Sequence, residues 1–212
     1  MSQLTNQMLF KKLKSQYARI GKRDIMLTQS NLFLVQDLTA VNTQYTFEIL
    51  NNEGTPKSYE IRLAQTDSFH LSGIQFFISD AGATPDDPTV ELLTYENQVL
   101  LGAGFADWRS LYKGQFDITI NNVTVLQSLS AQKFKYVPQT QHLVAGAGNA
   151  VDQVRWATDS MFYFAPTLNI SGAKKNQITL TIPQAVAGAV ANQVVGCILH
   201  GVVAIGGSVF QN

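Results

Sequence analysis

A single cysteine, Cys197, stands in this chain of 212 residues, so no disulfide can form within it. Charge is scarce as well. Asp, Glu, Lys and Arg make up 14% of the residues, against the ~25% usual for a soluble domain. Long apolar runs are missing too. The best of them, Val194–Ile205, contains His200 and falls short of the ~20 residues that a spanning helix requires. The first residues show neither the apolar core nor the small-residue cleavage site of a secretory signal. These absences predict a soluble protein made in a reducing compartment, with no membrane span. There is also no internal repeat and no linker-like stretch, so one β-rich domain over 25–212, preceded by an arm over 1–24, is the expected organisation.

Catalytic and cofactor motifs are absent in the same way. Gly146-Ala-Gly148 opens like a dinucleotide loop, but the third glycine is missing, Asp152 follows too soon and no βαβ pattern surrounds it. His70, His142 and His200 lack metal-ligand spacing. Ser160, His142 and Asp152 can be written down as a triad, yet no nucleophile-elbow pattern accompanies them. Asp80, Asp86 and Asp87 offer carboxylate oxygens of the kind calcium takes, but not at EF-hand spacing, and solvated turn residues are the simpler reading. Asn122-Val-Thr124 and Asn169-Ile-Ser171 match the glycosylation pattern, a three-residue match that chance supplies often. Cys197 sits in an apolar run and reads as unreactive core. The expectation is a protein that is not an enzyme and has no cofactor and no metal.

What the chain has is alternation. Phe116, Ile118 and Ile120 alternate with Gln115, Asp117 and Thr119, which places three large apolar side chains on one face of a strand. Asn121-Asn122 follows, and Asn tolerates the positive φ of a tight turn, so Val123–Leu126 reads as the returning strand. A lone hairpin cannot hide its apolar face, so other strands must cover it. Further strands are expected at Asn31–Gln36, at Thr43–Leu50 (Tyr45, Phe47 and Ile49 on one face) and, after a turn at Asn51–Gly54, at Lys57–Ala64 as the second arm of a hairpin. Phe69–Ile78 should be a strand bulged near Gly73. Val90–Tyr95, Phe134–Pro138, Val154–Phe164, Thr167–Ile170, Ile178–Ile182 and Val194–Ile205 follow, the last apolar on both faces and so central, or lodged against a partner. The long stretches 79–88 and 139–153 read as loops, and 184–193 as a crossing over one end. The set predicts an all-β fold, an antiparallel sandwich of jelly-roll type.

Two helices are expected. Phe105–Lys113 carries Phe105, Trp108, Leu111 and Tyr112 on one face and stops at Gly114, as a plug over one end of a sandwich would. Residues 2–20 repeat Leu9, Leu13, Tyr17 and Ile20 at helical spacing, with Gly21 as the stop. Residues 1–24 hold Lys11, Lys12, Lys14, Arg19, Lys22 and Arg23 against Asp24 alone, a net charge of +5. The remainder holds nine basic and fourteen acidic residues, a net charge of −5. Such asymmetry points to packing on the arm's own body or a neighbour, to contact with packaged nucleic acid, or to a membrane surface.

This basic arm, the body of about 190 residues with its strand spacing, the low charge and the aromatic helix between strands resemble the single-jelly-roll capsid proteins of viruses and phages. The resemblance is architectural and carries no motif residues across. It implies a structural, self-assembling subunit of a virion, assembled in the host cytoplasm as a homo-oligomer or shell. The six basic residues of the arm would touch genome or a neighbouring subunit. A neutral polar surface, cheap to desolvate between copies, fits the same reading. The competing reading is a β-sandwich module that binds a carbohydrate or another ligand on aromatic loops.

Overall fold

The computed structural model describes residues 3–21, 25–80, 92–96, 105–137, 160–189 and 193–208. Their elements are helix α1 (Gln3–Arg19), strands β1 (Met26–Asp37), β2 (Gln44–Glu48) and β3 (Ser68–Asp80), helix α2 (Phe105–Tyr112), strands β4 (Gln115–Ile120) and β5 (Val123–Ser130), a 3-10 turn at Ala131–Phe134, and strands β6 (Phe162–Ser171), β7 (Gln177–Thr181) and β8 (Gln193–Ile205). The strands form two antiparallel four-stranded sheets, ordered β1-β8-β3-β6 and β2-β7-β4-β5. Consecutive strands change sheet at every step except β4 to β5, and early strands pair with late ones. This is the double Greek-key order of the jelly roll.

The β4–β5 hairpin forms as the alternation predicts. Phe116, Ile118 and Ile120 are buried, and Asn121 and Asn122 turn the chain at φ 54° and 64°. Both values are positive, as a two-residue hairpin turn whose twist matches its strands requires. The core fills the space between the sheets. Phe76 of β3 meets Tyr112, Phe116 and Phe134 edge to face at 5.6, 5.2 and 6.5 Å. Trp108 and Leu111 of α2 join the same cluster, fully buried, and the amide of Gly114 closes the helix on the carbonyl of Leu111. The side chain of Phe105 lies outside the described residues. A second, smaller cluster lies on the opposite face of the first sheet: Val35, Phe77, Val194 and Ile198, with Phe33, Tyr59 and Leu92 packed on it.

Several expectations change. Residues 57–64 do not return as the second arm of a hairpin. β2 pairs with β7 instead, Glu48 opposite Gln177. Residues 57–64 are shared among three surroundings: Tyr59 packs on the outer cluster, Ile61 bridges Phe33 and stays 55% exposed, and Leu63 drops into the main core beside Leu50. A strand with three different environments cannot sustain one ladder. Phe134 opens no strand. It ends the 3-10 turn, whose start is capped by Ser130 accepting from the amide of Gln132, and its ring fills the core beside Phe116 at 5.3 Å. The strands expected to end at Phe164 and begin at Thr167 are one strand, β6, running through Pro166 at a sheet edge, where no ladder bond is lost. Among residues 92–96, Leu93 forms an isolated bridge to Ile78, and Thr94 bonds Tyr136, its carbonyl accepting from the Tyr136 amide and its hydroxyl donating to the Tyr136 carbonyl. The bulge expected near Gly73 is present, between Leu71 and Gly73. The stretches 81–91 and 138–159, with Asp86, Asp87, His142 and Asp152, lie outside the described residues.

Phe76→Ala should lower stability by about 3–5 kcal/mol, the usual cost of emptying a buried aromatic site. Val123→Ala, at a position 62% exposed, should change it by no more than about 0.5 kcal/mol. Urea denaturation of the unassembled protein followed by tryptophan fluorescence measures both; equal effects would show that Phe76 is not the centre of the core.

Candidate functional site

The basic helix is not a free arm. α1 lies against the face of the first sheet that is turned away from the second sheet. Its apolar stripe dictates this docking: Leu13 and Tyr17 are buried, 2% and 6% exposed. Leu9 is half-buried and Ile20, expected on the same stripe, is exposed just beyond the helix. The chain turns at Gly21, φ 83°, whose amide bonds the carbonyl of Ala18. That conformation is open to glycine at no steric cost.

Tyr17 fixes the position. Its hydroxyl lies 2.6 Å from Ser68 Oγ and 2.9 Å from His70 Nε2, both on β3, and its ring meets the imidazole edge to face at 5.7 Å. Burial raises the phenol pKa, so the hydroxyl keeps its proton. Burial also lowers the His70 pKa to about 4, so the ring is neutral around pH 7. A neutral imidazole can accept the phenol proton at Nε2 while Ser68 donates to the same oxygen. Three polar groups, all withdrawn from water, are satisfied together, which makes this contact specific for tyrosine.

Successive residues of a helix are turned by about 100°. With Leu13 and Tyr17 facing the sheet, Lys11, Lys12, Lys14 and Arg19 therefore fan over the flanks and outer side, and all four are exposed. None of them forms an ion pair among the described residues. Lys22 and Arg23 lie outside those residues. Four exposed cations are thus spread over the sides of a helix that is docked on the sheet through Leu13 and Tyr17.

Along the same sheet face runs a second polar group that sequence reasoning passed over. Gln75 of β3 lies at the centre: its Oε1 is 2.8 Å from His200 Nε2 of β8, and its Nε2 donates to Ser160 Oγ at 3.2 Å. Burial pushes His200 down to about 4 as well. His70 and His200 sit on neighbouring strands. Ser160 serves here as a buried hydrogen-bond partner. The sequence held a signal for this seam: polar residues at His70, Gln75 and His200 occupy one face of otherwise apolar strands. Elsewhere Glu53 is raised to about 6, first by burial and then by its hydrogen bond and charge repulsion with Glu48. Cys197 is fully buried, and burial pushes its thiol far up, out of reactive range. Among the described residues no group of three His, Cys, Asp or Glu could hold a metal, and no helix is long and apolar enough to cross a membrane.

No protein-family model matches this chain, and no curated protein matches it. Among solved structures it is similar to a chain described as the crystal structure of PBCV-1 VP54 fitted into a cryo-EM reconstruction of the virophage Sputnik. The two are 10% identical with a TM-score of 0.33, over 85% of this chain and 43% of that one. This chain therefore spans less than half the length of its neighbour. The jelly-roll assignment rests on the strand order and draws nothing from that likeness.

Tyr17→Phe should leave the body folded and free the helix, so that trypsin cuts after Lys11, Lys12 and Lys14 sooner than in the parent. Acid should have a similar effect. The folded-state pKa of His70 lies below its ordinary 6.5. Between 6.5 and about 4 the unfolded state therefore binds more protons, so the docking is complete above pH 6.5 and weakens as the pH falls towards 4. Cleavage rates, taken at each pH relative to an unfolded control peptide because trypsin itself loses activity in acid, that do not change in this window, or between Tyr17→Phe and parent, would count against the Tyr17–His70 contact as the latch.

Proposed function

We propose that the chain is a structural, self-assembling subunit of a virus or phage particle, a coat or capsid protein whose helix α1 contacts genome phosphates or a neighbouring subunit. The observation that carries this reading is the strand order, because the eight-stranded double Greek key is the architecture of viral capsid domains. Lectins and cupins share it, so the fold alone does not decide function. Two further features favour the particle. The outer face of the second sheet displays Gln44, Thr46, Gln115, Thr119, Gln177 and Thr181 around the two carboxylates Glu48 and Asp117, and the neutral groups that predominate lose little on desolvation against another copy. The cations of α1 point away from the body, where a polyanion can reach them. A ligand-binding module would instead show aromatic platforms. Tyr163, at 37%, is the one aromatic among the exposed large hydrophobic side chains of the described residues. The protein would then reside in the virion, assembled in the host cytoplasm, and would catalyse no reaction.

Electron microscopy of the purified protein should show closed shells, tubes or rings; dispersed monomers at all concentrations would rule the reading out. Replacing Lys11, Lys12, Lys14 and Arg19 by Gln should lower nucleic-acid retention. It should also flatten the dependence of log affinity on log salt by roughly 0.7–0.9 for each phosphate deprived of its cation. Retention that is unchanged would remove the genome role of α1 and leave contact with a neighbouring subunit.

A further inference from the structure

Four strands edge the two sheets: β1 and β6 in the first, β2 and β5 in the second. A free edge exposes unpaired main-chain donors and acceptors, and monomers blunt such edges by brevity, charge, proline, bulges or cover. β2 is five residues long and ends on Glu48. β5 breaks register twice, and its Ser128 has φ 58°. β6 contains Pro166, which has no N–H to offer, and its register with β3 also shifts. Three of the four edges are thereby defended.

β1 differs from the rest. Its register with β8 is unbroken from Met26 to Asp37. The second half of its outer edge is covered, for Phe33 exchanges both main-chain bonds with Ile61, and the amide of Val35 donates to the Glu60 carboxylate. In an antiparallel strand, alternate residues turn their N–H and C=O to the same side. Leu27, Gln29 and Asn31 therefore point outward as Phe33 does, and among the described residues nothing meets their main-chain groups. Gln29 and Asn31 are exposed. From Ile25 to Gln36 there is no charged residue and no proline. At the open end, Met26 and its register partner Ile205 are 63% and 49% exposed.

We propose that the first half of β1 is a self-association edge, which pairs antiparallel with the same stretch of a second copy about a two-fold axis at Gln29. Gln29 then faces Gln29 of the other copy, and Leu27 faces Asn31. Three facing pairs exchange about six main-chain hydrogen bonds, two in each. Two four-stranded sheets become one continuous sheet. The occupant follows from charge. A two-fold contact sets the same stretch against itself, so an edge carrying charge of one sign would repel its copy, whereas this one is neutral throughout. Residues 60–61 end the pairing at Leu32, which fixes its length. The inference names where shell subunits meet; it rests on the particle reading for its setting, and on the edge itself for its geometry.

Gln29→Cys in the full chain tests it. Facing Cα atoms in such a pair lie about 5.5 Å apart, within disulfide range, and the native Cys197 is too deeply buried to compete. Mild oxidation should give a covalent dimer on a non-reducing gel. Gln29→Pro should remove only an outward N–H, leave the ladder to β8 intact and weaken dimerisation about tenfold or more, because the two-fold removes two bonds from each dimer. If Gln29→Pro lacks the parent's circular dichroism, Gln29→Lys takes its place, setting like charges face to face. A dimer without particles in the microscope supports the edge and ends the particle reading. Particles in which Gln29→Cys never cross-links overturn the edge and leave the particle reading standing. Absence of any self-association overturns both.

Discussion

β8 is the constraint on which the rest of the structure depends. The strand is apolar on both faces and runs between β1 and β3, so each face must be covered by something. On one side Val195, Cys197 and Leu199 enter the main core between the sheets. On the other, Val194 and Ile198 would meet water if the molecule had only two layers. Its glycines record how close the neighbours come. A Cβ on Gly196 would lie 2.1 Å from the ring of Phe77, and one on Gly201 would lie 2.2 Å from the carbonyl oxygen of His70. Any larger residue at either point would force the sheet apart.

That demand explains the partial third layer. At one end of the sheet, Tyr59 and Leu92 cover the outer cluster, and Ile61 with Glu60 closes the adjoining edge of β1. At the other end, α1 sets Leu13 and Tyr17 on β3. Between them the face turns polar, and each of its buried groups finds a partner: His70 with Tyr17, His200 and Ser160 with Gln75. Unpaired, each would cost about 1–3 kcal/mol. The helix is therefore held by a burial requirement of the sheet, and the position of its cations follows from that requirement. A helix that must bury Leu13 and Tyr17 can only show its lysines to the outside.

The two sheets consequently present different surfaces. The first is covered over much of its outer face and ends in the open half of β1. The second leaves a bare face of Thr and Gln, broken by Glu48 and by Asp117, which accepts from the amide of Ser128. Neutral polar groups thus predominate on the outer side of the second sheet, while α1 gathers four exposed cations, Lys11, Lys12, Lys14 and Arg19, beside the first.

Local chemistry was legible in the sequence wherever one environment persisted along a segment. Alternation fixed the faces of β2 and β4; Asn121-Asn122 fixed a turn; helical spacing and Gly21 fixed α1; two apolar faces marked β8 as central. These depend on neighbours two to four residues away. Pairing was not legible, since β2 finds β7 some 130 residues later, and nothing in either strand names the other. The 57–64 segment misled because its alternating apolar residues answer to three different partners. For the candidate site, the basic residues and the buried stripe could be read directly. The latch at Ser68 and His70 could not, because a hydroxyl 51 residues from its partner becomes one only when the sheet brings β3 under the helix. Composition and periodicity decided which side of each element faces inward; the third layer, the polar seam and the half of β1 left open among the described residues exist only because the closed sandwich left one face and one strand to be dealt with.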